Sequence, residues 1–223
     1  QIRQEVLEII NNELINSFAN PSSPYSPARN SRLAVDQSRK IFADTLNCKE
    51  SEIIFTSGGT ESDNTAIKGP AHALKNLGNH IITTSTEHHA VLHTCNNLEK
   101  QGYDITYLPT DEFGMVSKDD VISAIKPNTI LISVIYANNE LGSINPIKEI
   151  GEAIKKLKGN NSQFPLFHTD AVQAAPFLDL DVNKLGVDLM SLSAHKFNGP
   201  KGIGVLFMKN GTPFEPLITG GGQ

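Results

Sequence analysis

From residue 52 onward, short apolar segments rich in β-branched residues alternate with stretches of helical spacing, and this alternation leaves few folds open. The strand candidates are EIIFTS (52–57), HIITTS (80–85), DITYLP (104–109), TILISVIYA (129–137), PLFHTD (165–170), VDLMSLS (187–193) and GIGVLFMK (202–209). Helical spacing fills 60–77, 90–101, 118–125 and 146–157 between them. Strands joined by helical crossovers build a largely parallel sheet with both faces covered. The last two strand candidates are separated only by a short glycine-rich turn and can add an antiparallel pair. The expected class is α/β, in three α/β/α layers around a mainly parallel mixed sheet.

Ahead of this series, residues 1–18 carry helical apolar spacing (Ile2, Val6, Ile9, Ile10, Leu14). A Pro- and Ser-rich surface loop follows over 19–31, and helical spacing returns over 28–46. The division expected is an N-terminal helix-and-loop segment, 1–30, and a large domain, 31–223. Hydrophobic residues make up 39% and charged residues 19% of the 223, enough apolar material for a folded core. The net charge of −5 argues against a nucleic-acid partner, which wants a basic face. The longest apolar run, ILISVIYA (130–137), falls well short of the roughly 20 residues of a membrane helix. Two cysteines, Cys48 and Cys95, form no CxxC and no disulfide framework, so a reducing, cytoplasmic setting is expected. The chain starts without Met and stops on a glycine cluster, which reads as a piece of a longer protein.

In a sheet of this class, chemistry gathers outside the carboxyl ends of the strands. Polar groups recur there: SGGTES (57–62), TEHHAV (86–91), ANNELG (137–142), HTDAVQ (168–173) and SAHKFN (193–198). SGGTES opens a helix. Its glycines allow close backbone approach to a ligand, and the helix N-terminus is an anion site. The same residues also read as an ordinary capped turn, with Thr60 and Asp63 as a capping box. No Walker loop is present. Asp170 follows an apolar strand, where a carboxylate needs a partner; it is either an N-cap or the partner of a cationic ligand group, with Gln173 in reach of the same ligand. His88, His89 and His93 do not supply the three or four convergent ligands of a zinc site, so no metal is expected. His88 serves either as a helix cap or as a flat ring stacked on an aromatic ligand. Lys196 sits at what reads as a dry, crowded strand end, a setting that makes an amine nucleophilic and able to form a Schiff base. An anion cradle, a carboxylate, a flat imidazole and a reactive lysine together describe pyridoxal phosphate (PLP).

The motifs FTSGGTESDNTAIKG (55–69), TEHHAVL (86–92), ANNELG, HTDAVQ, SAHKFNGPKGIG (193–204) and GGGQ (220–223) resemble those of the NifS/IscS cysteine desulfurases, in the same order along essentially the whole chain. The resemblance implies the PLP-dependent transferase fold type I, a homodimer, and conversion of L-cysteine to L-alanine with an enzyme persulfide, which supplies a sulfur-acceptor or scaffold protein of iron–sulfur cluster assembly. Carried over by position, it implies that Lys196 bonds PLP covalently and Asp170 pairs with the ring nitrogen. It places Gln173 on the ring hydroxyl and has His88 stack on the ring and move protons. Gly59, Thr60, Ser193 and His195 are then the phosphate ligands, and Asn139 lies near ring and substrate.

The chain departs from that pattern in several places. The persulfide cysteine of the family lies in a loop beyond GGGQ, and the small C-terminal domain with its carboxylate-binding arginine lies there too. A threonine that reaches the partner subunit's phosphate and an N-terminal DNAATT-like strand have no counterpart here. Cys48 and Cys95 read as packing residues, so the chain is expected to hold a PLP site without turning over alone. Two other readings are a selenocysteine lyase, to which NPSSPYS (20–26) and KGNNSQFP (158–165) are suited, and a non-catalytic scaffold on the PLP fold.

Overall fold

The computed structural model describes residues 1–159 and 164–220. The centre of the KGNNSQFP segment, 160–163, and the GGGQ motif beyond Gly220 lie outside the described residues. Among the described residues, seven strands form one sheet: β1 (Ile53–Thr56), β2 (His80–Thr84), β3 (Asp104–Leu108), β4 (Thr129–Ser133), β5 (Leu166–Asp170), β6 (Leu189–Ser193) and β7 (Gly204–Met208), in the order β1-β7-β6-β5-β4-β2-β3. The pairs among β2, β3, β4, β5 and β6 are parallel. β7 runs antiparallel to both β6 and β1, so the expected antiparallel pair is present. The carboxyl ends of β1 and of β2 to β6 therefore share one edge.

Alternate strand residues face opposite sides, so neighbours such as Ile81 and Ile82 feed two different cores. One core packs Ile81, Leu131, Leu189 and Leu206 against α3 (Gly59–Ala73) and α4 (His89–Glu99). The other packs Ile82, Ile132, Phe167, Met190 and Phe207 against α2 (Ala28–Leu46), α5 (Lys118–Ser123), α6 (Ile147–Lys158) and the short α7 (Val182–Leu185). These are the three layers expected. The first helix, α1 (Gln4–Asn16), has no buried residue. It is tied to the domain at its start, where the Arg3 N–H donates to Asn198 O at 3.2 Å.

Two boundaries differ from the sequence expectation for a visible reason. The strand expected over 129–137 ends at Ser133, because side chains take both backbone groups of Ile135. Its N–H donates to Glu87 Oε1 and its carbonyl accepts from Asn145 Nδ2, each at 2.8 Å. The helix expected to reach residue 77 ends at Ala73, where the bonding tightens into three-residue turns: the Lys75 N–H donates to His72 O and the Leu77 N–H to Leu74 O.

Candidate functional site

The shared strand edge carries a cavity of about 160 Å³. All nine residues expected to form a site line it: Gly59, Thr60, His88, Asn139, Asp170, Gln173, Ser193, His195 and Lys196. Asp63, Ile135 and Val172 complete the lining.

One side of the cavity is built by close backbone approach. Gly204, at the start of β7, pairs in register with both Thr56 and Ser193. A Cβ on Gly204 would stand 2.7 Å from Gly58 Cα and from its carbonyl carbon. This contact presses the β1–α3 turn onto the end of β6. Gly58 precedes α3 with φ of 154°, open to glycine, and among the described residues no side chain caps the helix. The Thr60–Asp63 capping box expected from sequence is thus not formed. Glu61 instead accepts the Ser57 N–H at 2.7 Å, and Asp63 turns inward. The uncapped first turn at Gly59 and Thr60 is a site for an anion. Ser193 stands beside it, with Ser193 Oγ 2.9 Å from His195 Nδ1.

The floor of the cavity is acidic and buried. Asp170 is buried, and its Oδ1 accepts the Val172 N–H at 2.9 Å. Burial raises its carboxyl; the Val172 N–H, His88 and Lys196 oppose that rise. Behind it, His168 is fully buried, with Nδ1 2.8 Å from Ser133 Oγ and Nε2 3.0 Å from Ser191 Oγ. Burial lowers this imidazole to about 3, so it is neutral. Asp63, on α3, is also buried, in line with the fully buried Ala66 and Ile67 of the same helix face. Two buried acceptors at the cavity have no hydrogen-bond partner among the described residues, Gln173 Oε1 and Asp63 Oδ1.

His88 does cap a helix: its Nδ1 accepts the Ala90 N–H at 3.1 Å at the start of α4. It also lines the cavity, so the two readings left open for it are compatible. Asn139 is presented by its neighbour. Asn138 Nδ2 donates to Thr86 O, and Asn138 Oδ1 accepts the Glu140 and Leu141 N–H groups. Lys196 corrects an expectation. It is exposed, not dry and crowded, because the short 3₁₀ turn Ala194–Lys196 carries it beyond the sheet edge. It still lines the cavity.

The residues that sequence reasoning missed are Asp63 as a lining group and the clamps Glu87, Asn138 and Asn145. For Asp63 a signal exists: it lies three and four residues before Ala66 and Ile67, on an apolar helix face where a cap has no place.

The aminotransferase class-V family profile matches residues 1–223. The chain belongs to the aminotransferase class-V family. It is 53% identical over 222 residues to the cysteine desulfurase IscS of Methanosarcina thermophila, covering 100% of this chain and 54% of that protein. A protein named putative cysteine desulfurase IscS 1 from Bacillus subtilis is 51% identical over 220 residues, with 99% and 56% covered. The chain thus spans about half the length of the curated relatives it matches. Among solved structures, SspA in complex with cysteine superposes with a TM-score of 0.94 at 44% identity, over 100% of this chain and 63% of that one. A NifS-like protein superposes equally well, with a TM-score of 0.94 at 37% identity, over 100% and 60%. The sheet and its helical layers are those of PLP fold type I cysteine desulfurase structures.

The cavity fits PLP group by group. An uncapped helix start beside Ser193 and His195 suits a phosphate, and a buried carboxylate suits a protonated ring nitrogen. The unpartnered Gln173 Oε1 suits a ring hydroxyl, and an exposed amine suits an aldehyde.

Proposed function

We propose that this chain is the PLP-binding part of a cysteine desulfurase that takes sulfur from L-cysteine, releases L-alanine and passes the sulfur to an acceptor or scaffold protein of iron–sulfur assembly. The observation that carries this reading is the convergence of nine sequence-singled residues on one cavity. The names of the relatives favour cysteine over selenocysteine as substrate. The same reading takes the protein as a homodimer in the cytoplasm. Among the described residues no helix is long and apolar enough to cross a membrane.

Bound in this cavity, PLP supplies an electron sink for the amino-acid substrate. Lys196 Nζ would hold the group at its aldehyde carbon and, when free, would carry the proton of the substrate Cα. Asp170 would keep a proton on the ring nitrogen, and Gln173 would orient the ring through its hydroxyl. Gly59, Thr60, Ser193 and His195 would hold the phosphate, and Asn139 would orient the substrate. His88 would lie against the ring; its Nδ1 is engaged by the Ala90 N–H, which leaves Nε2 as the atom to move a proton. Neither cysteine supplies the sulfur-accepting thiolate. Burial pushes Cys48 up to about 11 and Cys95 up to about 12, and a thiol that stays protonated is a poor nucleophile.

The test is an absorbance spectrum of the chain with PLP, beside Lys196→Ala, followed by borohydride reduction and peptide mapping. A visible band in the parent alone, with the reduced adduct on Lys196, is expected. A parent that binds no PLP, as this chain and as the full-length protein, would overturn the reading in favour of a scaffold.

A further inference from the structure

The floor of the cavity holds two carboxyls, and the reading above uses one. Asp63 is 1% and Asp170 3% exposed. Ligand atoms of Asp63, Asp170 and His88 all lie within 4.8 Å of one another. Two carboxylates this close in a dry site do not both ionise; the pair holds a proton.

Their surroundings decide where it sits. Asp170 has the Val172 N–H on Oδ1 and the electrostatic support of His88 and Lys196. Asp63 Oδ1 has no hydrogen-bond partner among the described residues. The imidazole nearest to it, His168 Nε2, is 3.8 Å away, neutral, and engaged with Ser191 Oγ. Burial, then the charge of Asp170, pushes Asp63 well above the carboxylate range; the Ser191 hydroxyl opposes this and Glu87 adds to it. The titratable groups around the pair are thus His168 from β5, Glu87 and His88 from the loop before α4, and Lys196 from the turn after β6. What favours a charge is gathered on Asp170, and what removes one is gathered on Asp63.

We propose that Asp63 is a positioning residue that holds the proton of this carboxyl pair, so that Asp170 keeps the negative charge offered to the ring nitrogen. The second half of this inference rests on the PLP reading of the cavity; the location of the proton does not.

Infrared difference spectra of the cofactor-free chain near neutral pH, parent against Asp63→Asn and against Asp170→Asn, read the proton directly. Burial pushes Glu87 up to about 8, so it adds a protonated-carboxyl C=O component common to all three proteins. A second component is expected in the parent, lost in Asp63→Asn and kept in Asp170→Asn. A second component kept in Asp63→Asn and lost in Asp170→Asn, or lost in neither, overturns the proposal. Should Asp63→Asn fail to fold, the Asp170→Asn spectrum decides alone: loss of the second component assigns the proton to Asp170. Urea unfolding against pH gives a second readout that a merely structural role does not move. A carboxyl whose folded pKa is raised loses stability as pH rises above its unfolded value. The unfolding constant of Asp63→Asn relative to the parent is therefore expected to fall at least about tenfold between acid and neutral pH; a constant ratio overturns the assignment. Both readouts need no cofactor, so failure of PLP to bind is a separate result that sinks the cofactor reading and leaves the proton location decided.

Discussion

Glu87 Oε1 accepts the backbone N–H of Ile135 at 2.8 Å, across 48 residues of chain, and this bond ties the loop that carries His88 to the end of β4. The same oxygen accepts from Thr84 Oγ1 at 2.8 Å, while Oε2 is buried without a partner among the described residues. Burial pushes the carboxyl up to about 8, against the lowering effect of the Ile135 and Thr84 hydrogen bonds. Glu87 is then mostly protonated at neutral pH, and the folded state binds a proton that the unfolded state releases above 4.5. Stability from this group is full below that value and is lost as pH rises through about 8. Glu87→Gln keeps an acceptor oxygen and removes the titration. Its stability relative to the parent is expected to rise with pH across that window, by up to a few kcal/mol. Glu87→Ala leaves the Ile135 N–H unpaired and is expected to cost about 1–3 kcal/mol. Urea unfolding at a series of pH values measures both, and a pH-independent difference for Glu87→Gln would show the carboxyl to be charged.

His168 gives the opposite slope. Its ring is lowered to about 3 by burial, below its ordinary 6.5, so the unfolded state takes up a proton that the folded state refuses. Stability from this group is full above 6.5 and is lost as pH falls toward about 3. His168→Gln is expected to unfold less steeply on acidification than the parent. His168→Leu strands the Ser133 and Ser191 hydroxyls and is expected to cost about 2–4 kcal/mol. Acid titrations followed by circular dichroism check the first, and urea midpoints at neutral pH the second. A parallel acid transition in parent and His168→Gln would refute the buried neutral imidazole.

The layers and the active edge were legible because they depend on periodicity: a residue-by-residue switch of faces in strands, helical spacing between them, and polar groups after each strand end. What was not legible depends on three-dimensional direction. Thr60 and Asp63 match a capping spacing, and only the inward turn of the α3 face shared with Ala66 and Ile67 shows that Asp63 is a floor residue. Lys196 follows an apolar strand, yet the turn at Ala194–Lys196 takes it out to solvent. The early end of β4 at Ser133 comes from two distant side chains, Glu87 and Asn145, which no local pattern announces.

The cysteines offer a prediction about reactivity. Cys95 is fully buried in the α3–α4 core, and burial holds its thiol at about 12. Cys48 is partly buried and held at about 11 by burial and the nearby Glu52. Alkylation by iodoacetamide at neutral pH is expected to run at least about tenfold slower in the native chain than in urea for both. Rapid native labelling of either, located by peptide mapping, would make it a candidate sulfur acceptor.

Gly204 offers the sharpest test of how the anion cradle is held. Its Cα hydrogen faces Gly58 backbone atoms, and a methyl placed there would lie 2.7 Å from Gly58 Cα and from Thr56 Oγ1. Backbone cannot yield as a flexible side chain can, so Gly204→Ala must separate the β1–α3 turn from the end of β6. The expected cost is about 1–3 kcal/mol of stability. The same displacement moves Gly59 and Thr60 away from Ser193, so PLP affinity is expected to fall by about tenfold or more. Urea midpoints and titration of the visible cofactor band read the two effects separately. Loss of stability with affinity unchanged would mean that the helix start and Ser193 do not act together on the phosphate; loss of both is the outcome the contact predicts.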